Sequence, residues 1–142
     1  MAIRQISALV ENKPGKVLEL FKILSDAGIN IRAMNIADTK DFGILRLIVA
    51  DVGRTKEVLE SATIVKLTDV IAVEMADESG SLCKILEVLA DAGINIEYAY
   101  AFVTPTKLGA YTVIRVDDAQ KAEKALSDQK YVLLTQQDME NL

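Results

Sequence analysis

The sequence predicts an α+β protein made of two copies of one small unit. Each copy would hold an antiparallel sheet with both of its helices on one face. The first observation is a repeat, because Leu24–Ile31 (LSDAGINI) returns almost unchanged as Leu89–Ile96 (LADAGINI), 65 residues later. The second is periodicity, since each copy changes from strand-like to helix-like spacing in the order β-α-β-β-α-β. That order is the split β-α-β arrangement.

The composition indicates a core of aliphatic side chains. Apolar residues make up 51% of the 142-residue chain, whereas aromatic residues make up only 5% and Trp is absent. At this length roughly two-thirds of the unfolded surface can be buried. We therefore expect Ile, Leu, Val and Ala to pack between regular elements, as in a layered α/β arrangement.

The first copy begins with a strand that the turn Asn12–Gly15 (NKPG) ends. An amphipathic helix follows, with Pro14 in its first turn and Gly28 as its C-terminal cap. The other predicted elements are strands at Ile3–Val10, Ile29–Asp38, Ile44–Ala50 and Ile64–Leu67, a hairpin turn at Thr39–Gly43 and a second helix at Arg54–Ala62.

The second copy repeats this order, and the domain boundary is predicted between residues 68 and 69. Gly43 matches Gly109 and Asp51 matches Asp117 at an offset of 66, which implies one extra residue in the second hairpin. Domains 1–68 and 69–142 are each small for independent stability, so we expect them to fold as one body. The predicted elements are a strand at Val70–Ala76, a helix at Ser81–Ala92, a hairpin over Asn95–Val116, a helix at Ala119–Ser127 and a strand at Tyr131–Leu134.

Charge and residue types exclude several functions. The net charge is −5 and no run of Lys or Arg could follow a phosphate backbone, so no nucleic acid partner is expected. The chain has no His and one Cys, Cys83, which excludes an intrachain disulfide, a zinc site and a Cys/His nucleophile pair. We expect no metal and no cofactor. Cys83 matches Leu18 in the first copy and is predicted to be a packed small hydrophobe.

The chain shows neither an export signal nor a membrane span. Its first residues lack a basic flank followed by a long apolar stretch, and no apolar run approaches the ~20 residues that cross a bilayer. We expect a cytoplasmic protein. We also expect no enzyme and no catalytic residues, since only Glu11, Asp77 and Glu78 could supply acid-base groups and their spacing meets no catalytic geometry.

Two segments resemble the ACT domain family of amino-acid-binding regulatory modules. They are Val10–Gly15 (VENKPG) before the first helix and Gly28–Ile31 (GINI) after it. The match is especially similar to the ACT domain of phosphoglycerate dehydrogenase, and the layout resembles free-standing tandem ACT proteins. The resemblance covers nearly the whole chain, twice. It implies two ferredoxin-like domains, a homodimer and a client enzyme of amino-acid metabolism.

The resemblance also implies where an amino acid would bind. In that family the ligand lies between two ACT domains, held by the first strand–helix loop of one and the start of the second strand of the other. A helix N-terminus with free N–H groups suits a carboxylate, and side-chain amides suit a zwitterion. The first site would contain Val10, Asn12, Lys13, Pro14, Gly15, Asn95 and Ile96, and the second Asp77, Ser79, Gly80, Ser81, Asn30 and Ile31.

The second site departs from the first. Asp77 replaces Asn12 and Ser79 replaces Pro14, which puts a carboxylate beside the expected anion position. That carboxylate could instead hold the ligand's ammonium. Whether one site binds or both do stays open.

Three aromatic residues alternate near the second site segment. Tyr98, Tyr100 and Phe102 would share one face with position 96, and Met34 with Ile36 would match them in the first copy. Two roles could explain three aromatic side chains on one face: packing against the helices, or lining a ligand pocket. The function expected is an amino-acid sensor, and the alternative is a ligand-independent dimerisation or docking module.

Overall fold

The chain forms an α+β structure of two compact units. The computed structural model describes residues 2–38, 41–103 and 110–141. The first unit consists chiefly of Arg4–Thr68 and the second chiefly of Asp69–Asp138. The predicted fold class is confirmed, because each unit has a helix, a hairpin and a second helix in the expected order beside an antiparallel sheet.

The first unit is a sheet of the order β2-β3-β1-β4. Strand β1 runs antiparallel to β3 with Ile6 opposite Leu47. On the other side of β1, the Leu9 N–H donates to the Ile64 carbonyl at 3.1 Å. The elements are β1 (Ile3–Glu11), α1 (Lys16–Asp26), β2 (Ile31–Asp38), β3 (Phe42–Val49), α2 (Val52–Glu60) and the start of β4 (Val65–Met75).

Both helices of the first unit pack on the same face of its sheet. Alternate residues of β1 and β3 point to this face, and each buried aliphatic side chain contributes about 1.5–3 kcal/mol to folding. Helix α1 is held by two buried leucines and α2 by one. The buried cluster consists of Ile6, Ala8, Val10, Leu45, Leu47 and Val49 from the sheet with Leu20, Leu24 and Leu59 from the helices.

The second unit repeats this packing. Its sheet has the order β4-β6-β5, with Ile71 of β4 opposite Ile114 of β6. Its elements are the end of β4, α3 (Ser81–Asp91), β5 (Ile96–Val103), β6 (Ala110–Val116), α4 (Ala119–Asp128) and α5 (Gln136–Asn141). Its core consists of Ile71, Val73, Ile85, Leu89, Ile94, Ile114, Val116, Ala122 and Leu126.

Two predicted strands are a single one in the structure. The segments Ile64–Leu67 and Val70–Ala76 were expected to be separate, yet β4 runs without a break over Val65–Met75. The unit boundary falls inside this strand, after Thr68. The intervening residues contain neither Gly nor Pro, so nothing in the local sequence ends the extended conformation.

The predicted last strand, Tyr131–Leu134, is wrong. The segment makes only an isolated antiparallel bridge, Leu133 opposite Val73, and the chain then turns into α5. This helix begins at a reciprocal cap, in which the Thr135 N–H donates to Asp138 Oδ2 at 2.7 Å and the Asp138 N–H donates to Thr135 Oγ1 at 3.2 Å. The Ser/Thr-x-x-Asp/Glu spacing that signals such a cap is present in the sequence.

The offset of 66 in the second half of the repeat is also wrong. Gly43 lies opposite Asp38, and Ala110 holds the same place opposite Val103, so the structural offset is 67 residues. The side chain that caps α2 is Asp51, and the one that caps α4 is Asp118, at the same offset. Two extra residues therefore extend the second hairpin. The predicted match Gly109 and the turn residues 39 and 40 lie outside the described residues.

The aromatic residues of β5 do not pack against the helices. A bulge between Ile96 and Tyr98 reverses the alternation, so Ile96 packs on the helix-side core whereas Tyr100 lies opposite Val113 on the other face. Phe102 stacks on Tyr111 with ring centroids 5.3 Å apart. The expected common face with position 96 is therefore wrong.

Met34 and Ile36 do not match the aromatic residues either. They lie opposite Leu47 and Leu45, on the helix-side face of the first sheet. Cys83, predicted to be packed, is exposed on α3, where its Sγ lies 3.8 Å from Glu87 Oε1. Its position directly after Leu82 turns it to the outer surface of the helix.

Candidate functional site

The loop between β1 and α1 is a tight turn that leaves the start of the helix open. The Lys13 N–H donates to the Glu11 carbonyl at 2.9 Å, and the Asn12 N–H donates to the Asp41 carbonyl at 3.0 Å. Gly15 precedes α1 in the left-handed region, with φ 84°, and no side chain caps the helix. The Lys16 N–H donates to the Lys13 carbonyl at 3.3 Å, whereas the N–H groups of Val17 and Leu18 have no acceptor inside the helix and stay available to a ligand.

The corresponding loop of the second unit has the same backbone. The Glu78 N–H donates to the Ala76 carbonyl at 2.9 Å, and Gly80 precedes α3 with φ 89° and again no side-chain cap. Asp77 and Ser79 therefore change the charge and side chains of this loop without changing its path.

The predicted loop residues differ in exposure. Val10 is 5% exposed and belongs to the core of the first unit, so its side chain faces the helices. Ser81 is partly buried at the start of α3. The fully exposed members of the predicted set are Asn12, Lys13, Pro14, Gly15, Asp77, Ser79 and Gly80.

The segments after α1 and α3 are also alike. Gly28 and Gly93 follow their helices with φ 70° and 72°, and the next residue in each unit bonds back to the helix, as in a Schellman turn. Asn30 and Asn95 come next and are both exposed. Ile31 and Ile96 then open β2 and β5 and pack partly on the two cores.

The two asparagines have different neighbours. The Asn95 N–H donates to Asp117 Oδ1 at 3.1 Å, and the Asp117 N–H returns a bond to the Asn95 carbonyl at 3.2 Å. Asn30 instead lines a cavity of about 190 Å³ together with Gly28, Asp51 and Arg54.

Within one unit, the loop and the strand start are at opposite ends of a helix. Gly15 precedes α1 and Gly28 follows it, and the 11 residues of this helix span about 16 Å. The structure therefore brings Asn12–Gly15 together as one group and Asn30 with Ile31 as another. An amino acid that touches both kinds of segment must take them from two different units.

A second cavity, of about 490 Å³, lies beside the first loop. Its walls include the buried Leu20 and three apolar side chains that are partly exposed, Leu9, Phe42 and Ile64. Of the predicted site residues only Val10 lines it.

Arg54 and Asp51, which line the cavity at Asn30, were not among the predicted site residues. Asp51 caps α2, since its Oδ1 accepts the Arg54 N–H at 3.0 Å. The Asp-x-x-Arg spacing is visible in the sequence as a helix start, but only the packing of α2 beside the end of α1 brings these residues to Asn30.

Two general features concern the described part of the chain. It contains no group of three or more Cys, Asp or Glu side chains arranged to hold a metal ion. None of its helices has the length and apolar character that crossing a membrane requires.

Comparison with known proteins gives the family. The family model described as an ACT domain pair matches residues 1–142. A crystal structure of a Bacteroides thetaiotaomicron protein is similar over 100% of this chain and 98% of that one, with 35% identity and a TM-score of 0.92. No curated protein matches this chain.

More distant structures share the fold. The regulatory subunit of aspartate kinase from Thermus thermophilus aligns with 87% of this chain and 88% of its own, with 21% identity and a TM-score of 0.64. Its counterpart from Thermus flavus aligns with 88% and 90%, with 19% identity and a TM-score of 0.62. Both the whole-length family match and the Bacteroides structure agree with the repeated sheet and with the glycines that precede α1 and α3. The chain therefore belongs to the ACT domain family as an ACT domain pair.

Proposed function

We propose that this chain is a cytoplasmic regulatory protein that binds a free amino acid and catalyses no reaction. The observation that carries the proposal is the pair of open helix starts at Gly15 and Gly80, in a chain that matches the ACT domain pair along its whole length. Backbone N–H groups at such a start bind a carboxylate without needing a charged side chain.

The proposed ligand lies between a β1-α1-type loop of one unit and a strand start of another. Asn12 with the backbone of Lys13–Gly15 would work with Asn95 and Ile96. The second arrangement would use Asp77, Ser79, Gly80 and Ser81 with Asn30 and Ile31. The opposite placement of loop and strand start within a unit supports this, because one unit alone cannot present both to a small molecule.

The acidic groups of these loops support a binding role more than catalysis. Glu11 Oε2 lies 3.4 Å from Lys13 Nζ, and both side chains are well exposed to solvent. Asp77 and Glu78 are exposed as well. A general acid or base usually lies in a desolvated site, which these exposed positions do not provide.

Binding is tested by screening the twenty amino acids by thermal shift and calorimetry on the full chain. At a concentration of 100 Kd, a binding amino acid should add about 2.7 kcal/mol to the free energy of unfolding. Absence of any saturable response across the panel would contradict the proposal.

Asn12→Ala should weaken binding of any amino acid that the screen finds. Loss of a buried hydrogen bond costs about 1–3 kcal/mol, which corresponds to about 5-fold to 150-fold in Kd. Lys13→Ala is the control, because the Lys13 side chain is 70% exposed and only its backbone belongs to the proposed site. Equal losses in the two variants would contradict the assigned role of Asn12.

A ligand-independent dimerisation or docking module is the second candidate. Exposed apolar side chains favour it: Leu18 on α1 is 57% exposed, and Met34 and Ile36 on β2 are 43% and 42% exposed. The partner would be a second copy, or an enzyme of amino-acid metabolism such as an aspartate kinase. Light scattering separates the candidates, since a sensor changes its association state with added amino acid whereas a pure assembly module does not.

A further inference from the structure

We propose that the cavity after α1, lined by Asn30 and Arg54, binds a carboxylate group, and that the equivalent place in the second unit does not. The inference rests on the proposed function, because it gives a chemical role to one of the two strand starts. In the arrangement proposed for Asp77 and Asn30, the ligand's carboxylate meets Asn30 and Arg54 instead of the helix start, and its ammonium meets Asp77. It also limits the ligand to a molecule with a free carboxylate and the number of such sites to one per chain.

The cavity has the size and the donors that a carboxylate needs. Its volume of about 190 Å³ equals the liquid volume of roughly six water molecules, enough for a carboxylate with its first carbon atoms. Asn30 contributes an amide, and Arg54 contributes a planar guanidinium whose paired N–H groups match the two oxygens of a carboxylate. The backbone of Gly28 completes the wall without a side chain.

The one carboxylate in the wall is already engaged. Asp51 Oδ1 accepts the Arg54 N–H at 3.0 Å as the cap of α2, and the Asp51 carbonyl accepts the Thr55 hydroxyl at 2.7 Å. The guanidinium of Arg54 is exposed. Asp51 therefore holds the backbone of Arg54 in place while the Arg54 side chain can turn to a ligand.

A second guanidinium, that of Arg32, lies two residues after Asn30 at the bulge of β2. Its Nε is buried without a hydrogen-bond partner among the described residues. Arg32 is not among the residues that line the cavity, and it adds positive charge near the strand start.

The second unit has the opposite charge at the same place. Glu97 corresponds to Arg32, and its Oε2 accepts from Arg115 Nε at 3.0 Å. Asp117 Oδ1 accepts the Asn95 backbone N–H at 3.1 Å. This N–H therefore already donates to a carboxylate and is not open to an incoming one. Lys121 replaces Arg54 there. Asp118 is also present there as the cap of α4. Around this place the carboxylates Glu97, Asp117 and Asp118 outnumber the cations Lys121 and Arg115. In the first unit the guanidinium groups of Arg32 and Arg54 outnumber the carboxylate of Asp51.

The difference comes from the residues that follow β3 and β6. At the structural offset of 67, Asp117 takes the place that Ala50 has in the first unit. Ala50 lines the cavity and offers no carboxylate. The Asn95 backbone N–H therefore has a carboxylate acceptor at a place where the first unit has none.

The first test needs no identified amino acid. Sodium acetate is titrated into the full chain at constant ionic strength against sodium chloride, and ¹H–¹⁵N spectra follow the backbone amides and the arginine Nε–H groups. Acetate should produce saturable shifts at Gly28, Asn30 and Arg54, several-fold larger than at Gly93 and Asn95. Equal shifts in the two units, or none at either, would overturn the inference.

The second test uses whichever amino acids bind in the screen, each with its carboxamide derivative. Arg54→Gln should weaken binding by about tenfold or more, whereas the matched Lys121→Gln should change it by less than about twofold. Each carboxamide should bind the parent chain more weakly than its amino acid does. Arg54→Gln should not weaken the binding of the carboxamide further. Strong binding that ignores Arg54→Gln would refute the inference while leaving the amino-acid sensor intact. If no amino acid binds, the proposed function fails and the acetate titration still decides the carboxylate site.

Discussion

At the scale of single residues, position on a helix decides which leucines stabilise the fold. Leu24 is 1% exposed in the core of the first unit, whereas Leu18 on the same helix is 57% exposed. The spacing of three and four residues in α1 predicts this division, because it places Leu20 and Leu24 on the side that faces the sheet.

Leu24→Ala should lower the free energy of unfolding by about 2–5 kcal/mol through lost burial and the cavity left behind. Leu18→Ala, with the same change of side chain, should alter it by no more than about 0.5 kcal/mol. Urea unfolding followed by circular dichroism measures both. A Leu18 variant as unstable as the Leu24 variant would show that the exposed face of α1 is covered in solution.

Tyr111 is the buried residue whose ionisation should be visible. It is 1% exposed on β6, and burial raises the pKa of its phenol, with the carboxylates of Glu74 and Asp138 raising it further. The unfolded chain should release this proton near the ordinary tyrosine value of about 10. The folded chain holds it to higher pH, so the stability that this group contributes is complete below about pH 10 and is lost as pH rises through the folded value.

Tyr111→Phe should reduce the loss of stability as pH rises above about 10, because the ring remains and the ionisable group is removed. Unfolding curves at several pH values, with phenolate absorbance to follow the titration, measure the effect. A parent and a variant that lose stability in parallel would contradict the assignment to Tyr111.

At the scale of elements, glycines set both ends of the first helix of each unit. Gly15 and Gly80 precede the helices and Gly28 and Gly93 follow them, all with positive φ. A Cβ at Gly28 would meet nothing within 4 Å, so only backbone strain opposes a substitution there. The repeat in the sequence predicts this geometry, since the same conformation is needed twice.

Gly28→Ala should destabilise the chain by about 1–2 kcal/mol, the cost of a left-handed backbone for an L-residue. Gly53→Ala is the control: this glycine lies in the first turn of α2 without positive φ, and its added Cβ would be 3.9 Å from Asp51 Oδ1, an ordinary contact. It should be neutral or stabilising by up to about 1 kcal/mol. Thermal unfolding of both variants distinguishes strain at Gly28 from a general effect of added alanine.

The site itself was predictable only in part. The glycines, Asn30 and Asn95 occur in repeated segments, so the local sequence pointed to them, whereas Asn12 followed from the family resemblance. Arg54 could not be found in either way, because it shares a cavity with Asn30 only when α2 packs beside the end of α1. Val10 was assigned to the loop from its position in the sequence, but strand alternation directs its side chain to the core.

At the scale of the whole molecule, β4 provides strand residues to both units. Its first part is bonded beside β1, where Ser7 Oγ and Thr68 Oγ1 are 3.3 Å apart, and its second part pairs with β6 from Ile71 onward. The unit boundary therefore lies within a strand, whereas many domains are separated by a flexible linker.

Thr68→Pro should therefore weaken both units, because proline lacks the N–H of a strand residue and restricts the residue before it. Thr68→Val is the control that keeps a β-branched side chain and loses only the hydroxyl contact. Hydrogen exchange at Leu9, in the first unit, and at Glu74, in the second, reports each side. Loss of protection on one side alone would mean that residues near Thr68 act as a linker.

The sequence by itself determined the repeat, the helix, hairpin and helix order within each unit, the glycine ends of α1 and α3 and the family, because these depend on local periodicity and repeated motifs. Tertiary structure alone decided that two predicted strands are one, that the offset is 67 and that the bulge after Ile96 turns the aromatic residues away from the helices. It also decided that Asn30 and Arg54 line one cavity whereas Asn95 pairs with Asp117. The physical reason is that register and side-chain neighbours are set by pairing between distant segments, where a shift of one residue changes the face and a shift of two changes the partner.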